Sequence, residues 1–280
     1  MLDAPKSRAL DARGHKLPIG GRTLVMAIVN VTPDSFSDGG RYPTADAAIT
    51  AGLQLVGEGA DIVDVGGEST RPGHQPVDVE TELARVLPVI AGLAAATGAP
   101  ISVDTCKAAV AEDALKAGAS IVNDVWGLAR DPGMAAVVAA HDAAVVIMHN
   151  REKADPGVDI LAEISTFFAR AIDRAAAAGI RPDRIVLDPG IGFGKTLEQN
   201  LTILARLETF AALGFPLLIG VSRKSFIARL SPSEPDGRLP GTVAASVIAA
   251  LAGAAIVRVH DVAAHVQALR IAEAIRGGGR

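Results

Sequence analysis

Polar residues recur at one offset behind short apolar runs in this chain. Gly59-Ala60-Asp61-Ile62-Val63 leads to Asp64, Gly118-Ala119-Ser120-Ile121-Val122 leads to Asn123, and Gly253-Ala254-Ala255-Ile256-Val257 leads to Arg258. A looser copy, Arg184-Ile185-Val186-Leu187, leads to Asp188. Each copy reads as a helix ending in Gly, then a short buried strand with a charged or amide group at its carboxyl end. The same position behind other strand-like runs holds Asn30, Asp104 and His149, while Lys224 lies just beyond the seventh run and His260 accompanies Arg258. Any single Asp or Asn here is as readily the N-cap of the next helix. Lys, Arg and His are not N-caps, however, and several carboxylates converging on one mouth repel unless something pairs with them. A planar heterocycle rich in N–H donors satisfies buried carboxylates and amides through paired hydrogen bonds. Arg71, Arg258 and His260 add positive charge at the same rim, the equipment with which barrels hold phosphate. The mouth is therefore expected to have an acidic floor and a basic side, for a ligand with a polar ring at one end and phosphate at the other.

Positioning these groups takes parallel strands. Strand-like runs fall at 24–29, 62–65, 101–103, 121–122, 144–148, 185–187, 217–219 and 256–259. Helix-like runs alternate with them at 44–58, 78–97, 106–117, 131–141, 158–178, 197–213, 240–252 and 262–276. Eight of each in strict alternation predict an α/β fold, a single (β/α)8 TIM barrel rather than a doubly wound sheet. The stretches 30–43 and 66–77, after the first two strands, are long and rich in Ser, Thr, Pro, Gly and Asp, and 231–240 resembles them. Long loops at the carboxyl face carry function. Residues 1–20 form a polar N-terminal segment, either a lid over the barrel floor or a loose end, and 21–280 the barrel domain.

Composition agrees with one domain. The chain has 280 residues, 49% hydrophobic and 3% aromatic, so Ala, Val, Ile and Leu fill the core. Net charge is −4, and no Lys/Arg run argues for a nucleic-acid surface. There is no signal-peptide pattern and no uninterrupted apolar span, which places the protein in the cytoplasm and off the membrane. Cys106 is the single cysteine, which excludes an intrachain disulfide and a thiolate cluster and reads as a small semi-buried residue at a helix start.

Two glycine-rich readings fail. In Asp188-Pro189-Gly190-Ile191-Gly192-Phe193-Gly194-Lys195-Thr196, the Walker spacing needs Gly where Pro189 stands, and the dinucleotide fingerprint needs Gly where Lys195 stands. A tight strand-to-helix turn remains, with Phe193 free to face a ligand. No HxH or HxxxH spacing supports zinc, so His149 and His260 read as hydrogen-bonding or phosphate-facing groups. His15, His74, His141 and His265 read as surface, and Trp126 as core.

These stretches together resemble the dihydropteroate synthases. Met26-Ala27-Ile28-Val29-Asn30-Val31-Thr32-Pro33-Asp34-Ser35-Phe36-Ser37-Asp38-Gly39-Gly40 is similar to the family's first signature, and Asp64-Val65-Gly66-Gly67-Glu68-Ser69-Thr70-Arg71-Pro72-Gly73 to its second. Ser102-Val103-Asp104-Thr105, Asn123-Asp124, the 188–195 stretch, Ser222-Arg223-Lys224-Ser225 and Arg258-Val259-His260-Asp261 follow in the family's order. The loop Asn150-Arg151-Glu152 departs from many members, at the rim. The resemblance implies condensation of 6-hydroxymethyl-7,8-dihydropterin diphosphate with p-aminobenzoate, by an SN1-like route, to dihydropteroate and diphosphate in folate biosynthesis. It implies that Asp104, Asn123, Asp188, Lys224 and Met148 hold the pterin ring, with Asp64 alongside. Asn30 would meet Mg²⁺ and the diphosphate, which Thr70 or Arg71, Arg258 and His260 would also hold. Phe36, Arg71, Pro72, Phe193 and Ser222 would form the p-aminobenzoate pocket. Asp38 and Asp104 would steady the developing cation, with Lys224 and Arg258 completing the catalytic set. The family is usually dimeric, and the apolar stretch 239–255 suits an interface in a homodimer.

Two neighbouring classes remain as alternatives. A methyltetrahydrofolate-dependent methyltransferase would lack the loops 30–40 and 69–73, which are present here. A non-catalytic pterin-binding paralogue would have lost Asn30, Asp38, Arg71 or Lys224, and none is lost.

Overall fold

Each copy of the repeat closes a helix and opens a strand by the same backbone device. Gly59, Gly118 and Gly253 have φ of 106°, 116° and 102°, and the next residue's N–H reaches back to the carbonyl five residues earlier (Ala60 to Leu55, Ala119 to Ala114, Ala254 to Ala249). That is a Schellman cap, which needs a left-handed residue and so takes Gly. Gly179, at φ 90° with Ile180 bonded back to Ala175, is a fourth copy ahead of the looser repeat.

A computed structural model describes residues 9–32, 44–69 and 76–278. A short antiparallel hairpin comes first, β1 (Ala9–Ala12) and β2 (His15–Pro18). Eight parallel strands follow: β3 (Leu24–Asn30), β4 (Ile62–Gly66), β5 (Ile101–Asp104), β6 (Ile121–Asp124), β7 (Ala144–Met148), β8 (Ile185–Asp188), β9 (Leu218–Ile219) and β10 (Ile256–Val259). Their order around the sheet is β8-β7-β6-β5-β4-β3-β10-β9. A bridge between Leu187 and Leu217 brings β8 back beside β9, so the ring is a (β/α)8 barrel with one thin join. The helices on its outside are α1 (Ala45–Gly57), α2 (Val79–Ala96), α3 (Ala108–Lys116), α4 (Met134–Ala140), α5 (Ile160–Ala177), α6 (Leu197–Ala205), α7 (Glu208–Ala211), α8 (Ser225–Leu230), α9 (Leu239–Leu251) and α10 (Val262–Arg276). None of them is long and apolar enough to cross a membrane.

The helix expected over 197–213 is broken. Arg206 leaves helical geometry at φ −129°, which separates α6 from α7. The short α8, unmarked in the sequence, begins directly after Lys224.

Side chains alternate along each strand. One face turns outward to the helices and forms the main core with Val63, Val65, Val103, Val122, Val145, Ile147, Ile185 and Leu187. The other face turns into the barrel. Leu24, Met26, Ile62, Ile121, Ala144, Val146, Val186, Leu218 and Ile256 fill its lower part and pack against Leu10, Ala12 and Leu17 of the hairpin, which covers the floor. One step further along that inward face the residue type changes. Ile62 is followed by Asp64, Ile121 by Asn123, Val146 by Met148, Val186 by Asp188 and Ile256 by Arg258.

Candidate functional site

The inward residues of this last layer meet in one cavity of about 380 Å³. Asn30, Asp104, Asn123, Met148, Asp188, Lys224 and Arg258 line it, as do Phe193, Ser222 and His260. Asp64 and His149 do not line it. The stretch 231–240 reaches the mouth through Pro235 and Arg238. Phe36, Asp38, Thr70, Arg71 and Pro72 lie outside the described residues, as does His74.

Helix capping does not explain the strand-end residues. The side chains that cap α1, α2, α5 and α6 belong to Thr44, Asp78, Asp159 and Thr196. Lys224 stands at the N-cap position of α8 but makes no capping bond.

Acid and base are interleaved rather than divided into a floor and a side. Arg258 donates from Nε to Asp64 Oδ2 at 2.6 Å and from Nη2 to Asp104 Oδ2 at 2.7 Å. Asn123 Nδ2 donates to the same Asp64 oxygen at 3.1 Å. Three carboxylates this deep in a low-dielectric site need cations among them, not beside them. Asp64 is fully buried and acts below the cavity, orienting Arg258 and Asn123 from underneath. Arg258 spends two of its three nitrogens on carboxylates, so only Nη1 lies outside these bonds.

Two acceptors in this array have no partner among the described residues: Asp64 Oδ1 and Asp104 Oδ1, both buried. Such groups cost free energy unless something donates to them. Burial pushes the Asp104 carboxyl well above the usual range, against the pull of Arg258 and with help from Asp64. Asp188 is raised for the same first reason, opposed by Lys224 and by the N–H of Gly190, which donates to its Oδ1 at 2.7 Å. Burial lowers Lys224 to about 8, opposed by Asp188 and assisted by Arg258. Its ammonium donates to the carbonyl of Ile191 and lies 4.4 Å from the centre of the Phe193 ring. The cavity thus offers acceptors at Asp104 and Asp188, a donor at Lys224, an amide at Asn123 and an aromatic wall at Phe193.

Ser222 Oγ lies 2.8 Å from His260 Nδ1 and accepts the His260 backbone N–H at 3.2 Å, which ties the loop after β9 to the end of β10. Ser225, the next serine, also lines the cavity. His149 is buried; burial drives its pKa down to about 3, so its contact with Glu163 Oε1 at 3.2 Å is a neutral hydrogen bond, not an ion pair. His265, read as surface, is fully buried on α10 and sits 2.7 Å from the Asp261 carbonyl through Nδ1. Trp126 is half-buried under the Arg130 guanidinium at 5.0 Å. Burial pushes the Cys106 thiol up to about 11, which leaves it unreactive.

Arg223 was not singled out in the sequence. Its φ is 57°, a left-handed turn that carries the chain from Ser222 to Lys224. The guanidinium grips both oxygens of Asp261 (2.8 and 3.1 Å) and Asp236 (2.7 Å), and its carbonyl accepts from Arg238 at 2.9 Å. These bonds hold a strained residue in place. They also dock the 231–240 stretch over the mouth.

The chain matches the pterin binding enzyme family over residues 26–260. A Bacillus subtilis dihydropteroate synthase is 45% identical over 92% of this chain and 90% of its own length. The chain belongs to the dihydropteroate synthases. A Xanthomonas albilineans dihydropteroate synthase, solved with 4-aminobenzoic acid, superposes with a TM-score of 0.92 at 48% identity, covering 97% of this chain and 99% of that one. The same organism's enzyme in complex with 7,8-dihydropteroate gives 0.87 at 46% identity, covering 96% and 98%.

Proposed function

We infer that this chain joins 6-hydroxymethyl-7,8-dihydropterin diphosphate to p-aminobenzoate, releasing diphosphate and forming 7,8-dihydropteroate, as a transferase of folate biosynthesis. The buried array of Asp104, Asn123, Asp188 and Lys224 carries the reading. These four line a cavity that the ring of a pterin would fill, and a pterin brings amino and N–H donors together with acceptors for Lys224. Asp64 positions Arg258 and Asn123 from below.

The diphosphate leaves first, with the C–O bond electrons. Positive charge develops on the exocyclic carbon and spreads into the ring. The carboxylates of Asp104 and Asp188 stabilise it, and Asp38 joins them in the role the resemblance implies. Preorganised groups of this kind are worth roughly 3–4 kcal/mol each. The amine nitrogen of p-aminobenzoate then bonds to that carbon and loses a proton. Phe193 walls its ring, with Phe36, Arg71, Pro72 and Ser222 completing the pocket as the resemblance implies. Arg258 Nη1, His260 and Thr70 or Arg71 receive the diphosphate.

Mg²⁺ fits the donors present. Asn30 Oδ1 lies over the bare backbone of Gly66, 3.4 Å from where a Cβ would stand, and is a hard oxygen ligand. Among the described residues no group of three His, Cys, Asp or Glu forms a metal cage. Asn30 would hold such a cation, which needs few protein ligands because it keeps several waters. When bound, Mg²⁺ supplies charge neutralisation on the leaving diphosphate.

The protein is read as a cytoplasmic homodimer. Exposed Ile248 and Leu251 on α9 and Ile271 and Ile275 on the adjacent α10 support a subunit contact there. Incubation with the pterin diphosphate, Mg²⁺ and p-aminobenzoate tests the activity. Dihydropteroate is expected, and lost when either Mg²⁺ or p-aminobenzoate is omitted. Tight pterin binding without product would instead indicate a non-catalytic paralogue.

A further inference from the structure

The turn after β8 supplies Phe193, and its N–H groups are bonded to Asp188 Oδ1 at Gly190 and to Asn200 Oδ1 at Gly192, both at 2.7 Å. Its backbone is held from behind by Lys195. The Lys195 Nζ donates to three carbonyls: Gly190 at 2.7 Å, Phe193 at 3.0 Å and His149 at 3.1 Å. The first two belong to the turn and the third to the end of the β7 strand. Three acceptors match the three N–H groups of an ammonium. The turn is pressed close against β7. A Cβ on Gly190 would stand 1.9 Å from the His149 carbonyl oxygen, and Gly190 has φ 71°. From the opposite side Lys224 donates to Ile191 and underlies the Phe193 ring. Asp104 and Asn123, by contrast, sit on strands whose ladder fixes them without this turn, and of the ring-side acids only Asp188 is bonded to it, through the Gly190 N–H.

We propose that Lys195 is a positioning residue that sets the place of Phe193, and so governs capture of p-aminobenzoate rather than of the pterin. This rests on the proposed activity. The charged and titratable groups facing Lys195 are Asp188 from β8, Lys224 from the start of α8, Arg151 and His149 beyond β7, and Glu163 from α5. Burial draws the Lys195 pKa down to about 7, opposed by Asp188. Loss of its proton removes the third N–H, and one carbonyl is released.

The test compares KM for the two substrates in Lys195→Met and Lys195→Gln, with Tm recorded. KM for p-aminobenzoate should rise about tenfold or more while KM for the pterin diphosphate stays within about twofold. A parallel rise in both, or no change in either in a folded variant, would overturn the role. A wild type that makes no dihydropteroate refutes the reading of the site itself, whereas unsplit KM values in an active enzyme refute only Lys195.

Discussion

Both ends of this barrel bury charge, and they do so differently. At the floor, Asp11 of the hairpin is met by Lys16 at 2.9 Å, Arg184 at 3.5 Å and Arg181 at 3.6 Å, and by the N–H of Gly14. Lys16 and Arg181 are more than half exposed, so water shares the load. At the mouth, Asp64, Asp104 and Asp188 are at most 5% exposed, and buried carboxylate oxygens are left without donors. The floor is a solvated closure; the mouth is an array whose balance calls for a ligand. The inward strand faces build the mouth, whereas the charges of the floor come from the hairpin and from the segment just before β8.

The sharpest break of that contrast is Arg258→Met. It removes the cation from between Asp64 and Asp104, and is expected to cost about 3–5 kcal/mol of stability in urea unfolding. Because Arg258 is bonded to Asp104, the proposed ring acceptor, affinity for free pterin should fall too, read by calorimetry. Unchanged pterin binding would return Arg258 to the diphosphate alone.

Next is Lys224→Ala, expected to lower turnover about a hundredfold and weaken pterin binding with it. The wild-type pH profile should show the same group. Lys224 is charged below about 8, so pterin affinity is lost as pH rises through that value. Stability runs the other way. The unfolded lysine keeps its proton to about 10.5, so between about pH 8 and 10.5 unfolding takes up a proton and the fold gains. Wild-type turnover in the alanine variant would remove Lys224 from the site.

The smallest effect belongs to the floor. Asp11→Ala should cost about 1 kcal/mol, seen as a lower Tm, and leave kcat/KM within about twofold. A large loss of activity would mean that the two ends are coupled.

Much of this was legible in the sequence. The eight strands and the polar residues at their ends announce themselves, because a buried parallel strand is an apolar run and its end is a sharp change of type. His265 was misread although its spacing between Val262 and Leu269 marks the buried face of α10. The hairpin was not legible as strands, since neither of its four-residue pieces carries an apolar run. The interleaving of Arg258 with two carboxylates depends on partners 154 and 194 residues away, and no local pattern encodes that. The hold of Lys195 on His149, across 46 residues, is of the same kind.

The thin join of the barrel has a consequence for motion. β9 is two residues long, and its link to β8 is a single bridge at Leu187 and Leu217. Fewer ladder bonds lock this stave than any other, so its amides should exchange with solvent earliest among the barrel strands. Ser222 and Lys224 follow it directly in the chain. The weakest join of the ring therefore lies between the strand that ends in Asp188 and the one that leads to Lys224.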